Sequence, residues 1–442
     1  MGPPLAFWLA DIAYRAAGNH MFGVYLLAQI CGVATLWTVY LLSRAIAGGQ
    51  QAVLAVLLTM TVTVFGAPSL EFGPAVLARP LWALLLLHSW QLIGLNRRNA
   101  WFAWSIEAGL LLLTTSAAPM LLLLLAGFAL ATERGRRTLK SLDPLFALVA
   151  IVVLALPYLV WLIRADALGL PAWPALDVLG SRALHWGTLL GGLLLAMSAA
   201  IVLVVLNSGF LGRGSEEVPI IYRPPVDPLA RQFVYCFAIA PALAGSLIAG
   251  LFNLDGVTGG TGIALLMSGL AMIVATGDLV HLRRQRLLRT VWALAVIAPA
   301  AITIATTAFL PWTTAAEVAT SVPGRQIARY FGENFERRTN QRLRAVAGDP
   351  QFASLIALDT GRPHLLLDAT PQRTPWLNAA KFAETGGIVV WRASDTAGTP
   401  PADIAKRFPG LVPEVPRAFE WYVNGRQPLL RIGWAIVRPK NP

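Results

Sequence analysis

Ten apolar segments follow one another along the first 310 residues, and then they stop. A bilayer takes roughly 17–25 residues of helix to cross, and most of these segments have that length. Lipid offers no partner to a backbone N–H or C=O, so such a chain crosses as helices that satisfy their own backbone. The segments fall at about 21–46, 50–66, 76–95, 101–112, 115–131, 143–163, 184–207, 232–252, 259–280 and 289–310. From Pro311 onward charge returns and the apolar runs shrink to strand length. The expected fold is therefore a polytopic α-helical membrane protein of about ten membrane helices with a small C-terminal α/β domain. Its expected parts are an external interfacial segment at 1–20, a transmembrane domain at 21–310 and an extracytoplasmic domain at 311–442. Composition agrees: 13% of the residues are charged, against about 25% in soluble domains.

The net charge of +12 would suggest nucleic acid as a partner in a soluble protein. Here much of it sits in short loops at Arg44, Arg97-Arg98, Arg134 to Lys140, Arg213 to Arg231, and His281 to Arg286. The chain has no basic run interleaved with aromatics, so no nucleic-acid partner is expected. With the spans above, all five loops share one side, which the positive-inside rule makes the cytoplasm. Residues 1–20 and the tail are then outside, in the periplasm of a Gram-negative cell. The fourth and fifth segments are too short to span singly, and basic clusters flank both. They read as a hairpin that enters the membrane and returns to the same side, which requires a protein or water-filled surrounding.

The tail alternates helix and strand. GRQIARYFGENFERR, PQFASLIALDTG, NAAKFAETGG and PADIAKRF read as helices; RLRAVAG, HLLLD, IVVW and PLLRIGWAIV read as strands. That alternation predicts a largely parallel sheet. Asp349 and Asp368 fall at strand ends, where a helix N-cap is the first expectation. Arg337, Arg338, Arg342 and Arg344 form a basic cluster suited to anionic headgroups. Cys31 and Cys236 both lie in apolar segments and exclude a disulfide framework. The Gly-rich LDGVTGGTGIA at 254–264 follows no strand and precedes a membrane helix, so it reads as an outer loop and not a phosphate cradle. No metal-binding motif is present, and neither metal nor cofactor is expected.

The opening GPPLAFWLADIAYRAAG resembles the Pro-Pro-Leu segment that follows the first outer loop in bacterial family-39-type glycosyltransferases. These membrane enzymes are related to protein mannosyltransferases and lipid A aminoarabinose transferases. The helix MFGVYLLAQICGVATLWTVYLLSRAIAG, then EFGPAVLARPLWALLLLHSWQLI, ALPYLVWLIRADAL, GGIVVWRA and LLRIGWAIVRP resemble successive blocks of the same family. The resemblance implies a GT-C architecture that takes a sugar from a polyprenyl-phosphate donor to a glycolipid, glycan or protein acceptor outside the membrane. It also implies a carboxylate from the first outer loop, upstream of Pro-Pro-Leu. The basic residue often found before Pro-Pro is Gly2 here, and a hairpin Lys of the family is replaced around Thr115-Ser116-Ala117.

Displacement of a lipid phosphate from a sugar needs a carboxylate to take the acceptor proton and cations to hold the phosphate. Glu71 is the candidate catalytic acid within this chain, and Arg79, Arg164 and Arg15 are the candidate phosphate ligands. His20, Asp166 and Glu107 are further candidates. Glu107 lies within the apolar hairpin, where an ionisable group marks function by default, although pairing with nearby Arg97-Arg98 is an alternative. A cap on the first helix is the alternative for His20. The leading functional expectation is a polyprenyl-phosphate-dependent sugar transferase of the inner membrane. The alternatives are a non-catalytic scaffold of the same architecture and a transporter; the latter should show an internal repeat, and none is visible.

Residues 4–18 are only weakly amphipathic, and nothing before Met21 has the pattern that carries a tail across a membrane. Topology and resemblance together lead us to expect a first helix and acidic loop upstream of Met1. Intact mass of the protein from its native host is then expected to exceed 47.5 kDa by a helix and a loop. A mass equal to that of Met1–Pro442 would contradict this.

Overall fold

The computed structural model describes residues 2–66, 72–165, 173, 178–207, 220–222, 225–254, 260–277, 279–281, 284–318, 321–366, 376–423 and 425–439. The chain divides into two compact units: residues 1–163 with 168–303, and residues 164–167 with 304–442.

The first unit is helical. It opens with α1 (Leu5–Ala16), α2 (Phe22–Ala47), α3 (Gly49–Met60), the single turn α4 (Thr63–Gly66) and α5 (Pro74–Ile93). The hairpin helices α6 (Ala100–Leu112) and α7 (Ala118–Ala131) follow, then α8 (Glu133–Leu139) and α9 (Asp143–Arg164). Next come α10 (Leu179–Ala196), α11 (Ser198–Asn207), strand β1 (Ile220–Tyr222), α12 (Pro228–Phe252) and α13 (Gly262–Ala275). Strand β2 (Leu279–His281) and α14 (Gln285–Thr313) complete the run. All ten expected segments are helical, with ends shifted by up to about five residues. Among the described residues five helices, α2, α5, α9, α12 and α14, are long and apolar enough to cross a membrane, and counting each of the bent pairs α7–α8 and α10–α11 as one span gives up to seven.

The expected 50–66 helix is two pieces, broken at Thr61 and Val62. The Thr59 and Thr61 hydroxyls donate back to the carbonyls of Ala55 and Leu58, which loosens the end of α3. The 184–207 helix bends by 52° between Ala196 and Ser198. After α7 the chain turns by 108° into α8, where the Thr132 side chain accepts from the Gly135 amide. The basic run ERGRRTL of α8 has no apolar stripe to bury, so it leaves the bundle direction. The loops holding Arg213 to Arg231 and His281 to Arg286 meet in an antiparallel pair, Ile220 opposite His281 and Tyr222 opposite Leu279.

Burial ranks the helices. In α5, 78% of the most apolar window is buried, against 17% in α9 and none in α14. The middle of the unit is thus α5, packed on α2 and α6, while α9 and α14 present apolar surface outward. Small residues allow the closest approaches, as is usual without a hydrophobic drive between helices. A Cβ at Gly23 would lie 2.1 Å from the Ala13 carbonyl oxygen, and one at Gly269 would lie 2.3 Å from that of Ala55. These contacts seat α1 on α2 and α3 on α13.

The second unit is a three-layer α/β domain. Its elements are α15 (Gly324–Thr339), β3 (Ala345–Gly348), α16 (Pro350–Asp359), β4 (His364–Leu366), α17 (Ala379–Thr385) and β5 (Gly387–Arg392). They continue with α18 (Ala402–Arg407), β6 (Glu414–Phe419) and β7 (Leu430–Val437). The sheet order is β4-β3-β5-β7-β6. One face packs Val346, Ile388, Val390, Ile432 and Trp434 against Ile327, Phe331 and Phe335 of α15 and Phe352 and Ile356 of α16. The other packs Ala345, Ala347, Val389, Trp391 and Ala435 against Phe382 of α17 and Ile404 of α18. Burial on both faces explains why IVVW reads as an unbroken apolar run.

The expectation of a largely parallel sheet is corrected. β4, β3 and β5 are parallel, but β7 lies antiparallel to both β5 and β6. β6 carries Pro416 and leaves Val415, Arg417 and Ala418 exposed at the edge of the sheet, and Pro416 concealed it. Asp349 is the expected cap: its carboxylate accepts from the Gln351 and Phe352 amides at the start of α16. Asp368 lies outside the described residues. The basic cluster is divided. Arg338 pairs with Glu414 and covers the Trp434 ring, Arg337 donates to the Glu333 carbonyl, and Arg342 and Arg344 are exposed.

At the basic end of the first unit Arg134 meets Asp227 at 2.6 Å, and Asp227 also accepts from the Leu229 amide as the cap of α12. Burial opposes the charge, but that amide and the guanidinium together hold Asp227 below the ordinary carboxylate range. A depressed native pKa stabilises above the unfolded value and is lost as pH falls through the native one. Asp227→Asn keeps a competent cap and removes the ion pair, so its lower melting temperature at pH 7 should vanish in acid, once pH has fallen through the depressed native pKa. Asp227→Ala loses the cap as well, about 1 kcal/mol, and should stay destabilised at both pH values. Thermal melts in detergent at the two pH values test this.

Candidate functional site

The two arms of the hairpin are only 13 and 14 residues long, so its tip at 113–117 needs partners from neighbouring helices. The Leu5 amide, an orphan donor at the start of α1, donates to the Leu113 carbonyl at 2.9 Å. The Thr115 hydroxyl accepts from the Ala117 amide. Gly260, with φ of +87°, passes so close that a Cβ there would meet Met120 at 2.6 Å and Ala117 at 3.2 Å. The tip is therefore clasped between the starts of α1 and α13. Ring atoms of Trp82 on α5 lie 3.1 Å from where a Cβ of Gly262 would be. The Trp82 indole N–H is buried without a partner among the described residues.

Arg79 lies one turn before Trp82 on α5. Its guanidinium donates to the Val64 carbonyl at 3.0 Å and lies 5.8 Å from the centre of the Phe65 ring. Val64 belongs to the isolated turn α4, whose carbonyls have few helical partners. Arg79 thus braces the segment that leads into Glu71. Glu71 itself lies outside the described residues, as does Asp166.

Deeper in α5, the His88 Nδ1 is 2.8 Å from each carboxylate oxygen of Glu107 on α6. One turn along the same interface the Trp104 indole donates to the Ser89 hydroxyl at 2.9 Å. These contacts set an antiparallel register between α5 and α6. The alternative partner expected for Glu107 is corrected: Arg98 bonds Asp143 at 2.8 Å, and Glu107 is held by His88. His88 was missed because nineteen residues separate the pair and only the register joins them.

The remaining candidates do not converge on this place. Arg15 pairs with Asp11 at 2.9 Å on the exposed face of α1. The His20 Nδ1 accepts from the Phe22 amide, which is the capping role that stood as its alternative. Arg164 ends α9 exposed, one turn beyond the stacked Tyr158 and Trp161 rings. Arg182, in the first turn of α10, was not foreseen; its Nε is buried without a partner among the described residues. Among those residues no group of three His, Cys, Asp or Glu side chains forms a metal site.

Residues 1–161 match the family described as dolichyl-phosphate-mannose-protein mannosyltransferase. No curated protein matches the chain in sequence. Among solved structures, ArnT from Cupriavidus metallidurans bound to undecaprenyl phosphate aligns with a TM-score of 0.56 at 12% identity. The alignment covers 99% of this chain and 88% of that one. The apo state of the same protein gives 0.55 at 13% identity, covering 98% and 87%. The family-39-type resemblance and the GT-C-like helical fold with its C-terminal α/β domain stand on these findings.

The buried His88–Glu107 pair gives a direct test. Leaving one partner of a buried hydrogen bond unsatisfied costs about 1–3 kcal/mol, whereas replacing both by apolar groups is often nearly neutral. His88→Leu is expected to lower the melting temperature in nanodiscs strongly. The double variant His88→Leu with Glu107→Leu is expected to recover most of the loss. Additive losses in that cycle would show that the two side chains do not act together.

Proposed function

We propose that this chain, a GT-C-type relative of the family-39 glycosyltransferases, moves a hexosyl or pentosyl group from a polyprenyl-phosphate donor to a cell-envelope acceptor. The observation that carries the reading is the likeness over 99% of the chain to ArnT, a protein solved with undecaprenyl phosphate bound. A half-buried cation near the start of α5, Arg79, which bonds the Val64 carbonyl of α4, supports it. The acceptor class is lipid A, another glycan or a protein, and the reaction side is the periplasmic face of the inner membrane, opposite the basic loops.

The chemistry is a single displacement. The acceptor hydroxyl oxygen forms a bond to the anomeric carbon while the bond from that carbon to the phosphate oxygen breaks. Polyprenyl phosphate departs with the bonding electron pair, and the hydroxyl proton passes to a carboxylate. Glu71 takes that role in this chain, as general base. Charge grows on the departing phosphate, so fixed guanidinium donors favour the transition state over the ground state. Arg79 is the first of these. Arg182 is added because its Nε donor is buried and unpartnered among the described residues; Arg15 and Arg164 are cations of the outer surface that attract the donor. Arg79 has a second duty, since its bond to the Val64 carbonyl ties phosphate binding to the position of α4.

Release of polyprenyl phosphate from a labelled donor, with purified protein and a cell-envelope extract, tests the reading. Glu71→Gln should lower kcat by about 10²–10⁴ with donor affinity retained. Arg79→Gln should raise KM for the donor and lower kcat together, and Arg79→Lys should recover only part, because a point charge does not reproduce the planar fork. Donor binding with no turnover for any polyprenyl-phosphate sugar would overturn the enzymatic reading and leave a lipid-binding scaffold.

A further inference from the structure

The basic end of the first unit holds a groove unrelated to the proposed chemistry. It has a volume of about 350 Å³ between α3, α11, α13 and α14. Leu54, Leu57, Leu58, Leu203 and Ile273 form much of its apolar wall. Trp292 forms another part, fixed by donation from its indole N–H to the Leu57 carbonyl at 2.9 Å. That carbonyl is in the last turn of α3, where helical partners run out, so the bond holds the groove open at a defined width. Asn207, Thr276, Gln285 and Arg289 line the same groove. They lie at or near the ends of α11, α13 and α14 that face the basic loops. Arg289 is exposed and has no ion-pair partner among the described residues, and Arg286 is exposed one turn before it.

We infer that this groove binds an anionic glycerophospholipid of the cytoplasmic leaflet, one acyl chain between α3, α11 and α14 and the phosphate on Arg289. The choice of occupant follows from charge. An acyl chain gains little by leaving bilayer for an equally apolar groove, so the headgroup decides what stays. A guanidinium offers a phosphate two parallel N–H donors, and neighbouring basic residues favour an anionic lipid by about 1 kcal/mol each. Such lipids are abundant in the membrane that surrounds the groove, so a modest preference suffices for occupancy. The groove shares no lining residue with the surroundings of Arg79 or the hairpin tip, which distinguishes this lipid from the proposed donor.

The test is native mass spectrometry of the whole chain released from nanodiscs of equimolar phosphatidylglycerol and phosphatidylcholine. Retention of phosphatidylglycerol over phosphatidylcholine is expected, falling about tenfold in Arg289→Gln, the loss of one good charge-assisted contact. Arg137→Gln, which removes an exposed charge on α8, is expected to leave retention unchanged. Val204→Trp fills the groove from α11 and should expel the lipid while the thermal melt in phosphatidylcholine alone stays cooperative. Equal losses in Arg289→Gln and Arg137→Gln would reduce the effect to general surface attraction and overturn the site. Displacement of phosphatidylglycerol by undecaprenyl phosphate from the wild type, but not from Arg289→Gln, would assign the groove to the polyprenyl lipid and also overturn it.

Discussion

The tip between two short apolar helices leaves backbone groups that neither helix satisfies, and neighbouring helices of the first unit supply their partners. The Leu113 carbonyl is met by the Leu5 amide, so an exposed donor of α1 and an exposed acceptor of the tip cancel each other. Lower down, Glu107 enters the same apolar surroundings and is held by His88, with the Trp104–Ser89 bond beside it. These partners come from α1 and α5. The contacts therefore fix the depth of the hairpin as well as its satisfaction, and with it the level at which the tip stands against α5, α1 and α13.

Depth matters because the proposed reaction needs charge at the membrane surface and little below it. Arg79 is placed in the second turn of α5, where a cation without partners would be costly. The isolated turn α4 supplies a carbonyl acceptor at that height. The same bond ties α4 to α5 next to the site where a lipid phosphate is proposed to sit.

Much of this was legible because the membrane imposes simple rules. Apolar length located the helices, and the shortness of 101–112 and 115–131 already marked a hairpin. Local capping was also readable: His20 before α2 and Asp349 before α16 act within three residues of themselves. What escaped was everything that depends on register between distant segments. Nothing in the sequence near His88 names Glu107 as its partner, and Arg98 was a closer alternative. The break at Thr61–Val62 arises from hydroxyls bonding back to the helix, not from Gly or Pro. In the tail, the two blocks GGIVVWRA and LLRIGWAIVRP were recognised separately, yet they are adjacent antiparallel strands with Val390 opposite Trp434. Edge strand β6 was hidden by Pro416, which interrupts the strand pattern.

The polar side chains of the first unit divide by their task. At one end Arg134–Asp227 and Arg98–Asp143 close loops where water is available, and exposed pairs of that kind contribute little each. At the other end Arg79 and Arg182 are partly withdrawn from solvent, where electrostatic interactions strengthen. A guanidinium in the first setting holds a loop, and one in the second is suited to a phosphate that arrives with its own apolar chain. Arg289 belongs to neither group: it is exposed among the basic residues, yet it borders an apolar groove. That combination of water-facing charge and lipid-facing wall is the chemistry of a phospholipid headgroup above its acyl chain, and it gives the charged end of the bundle a role beyond setting orientation.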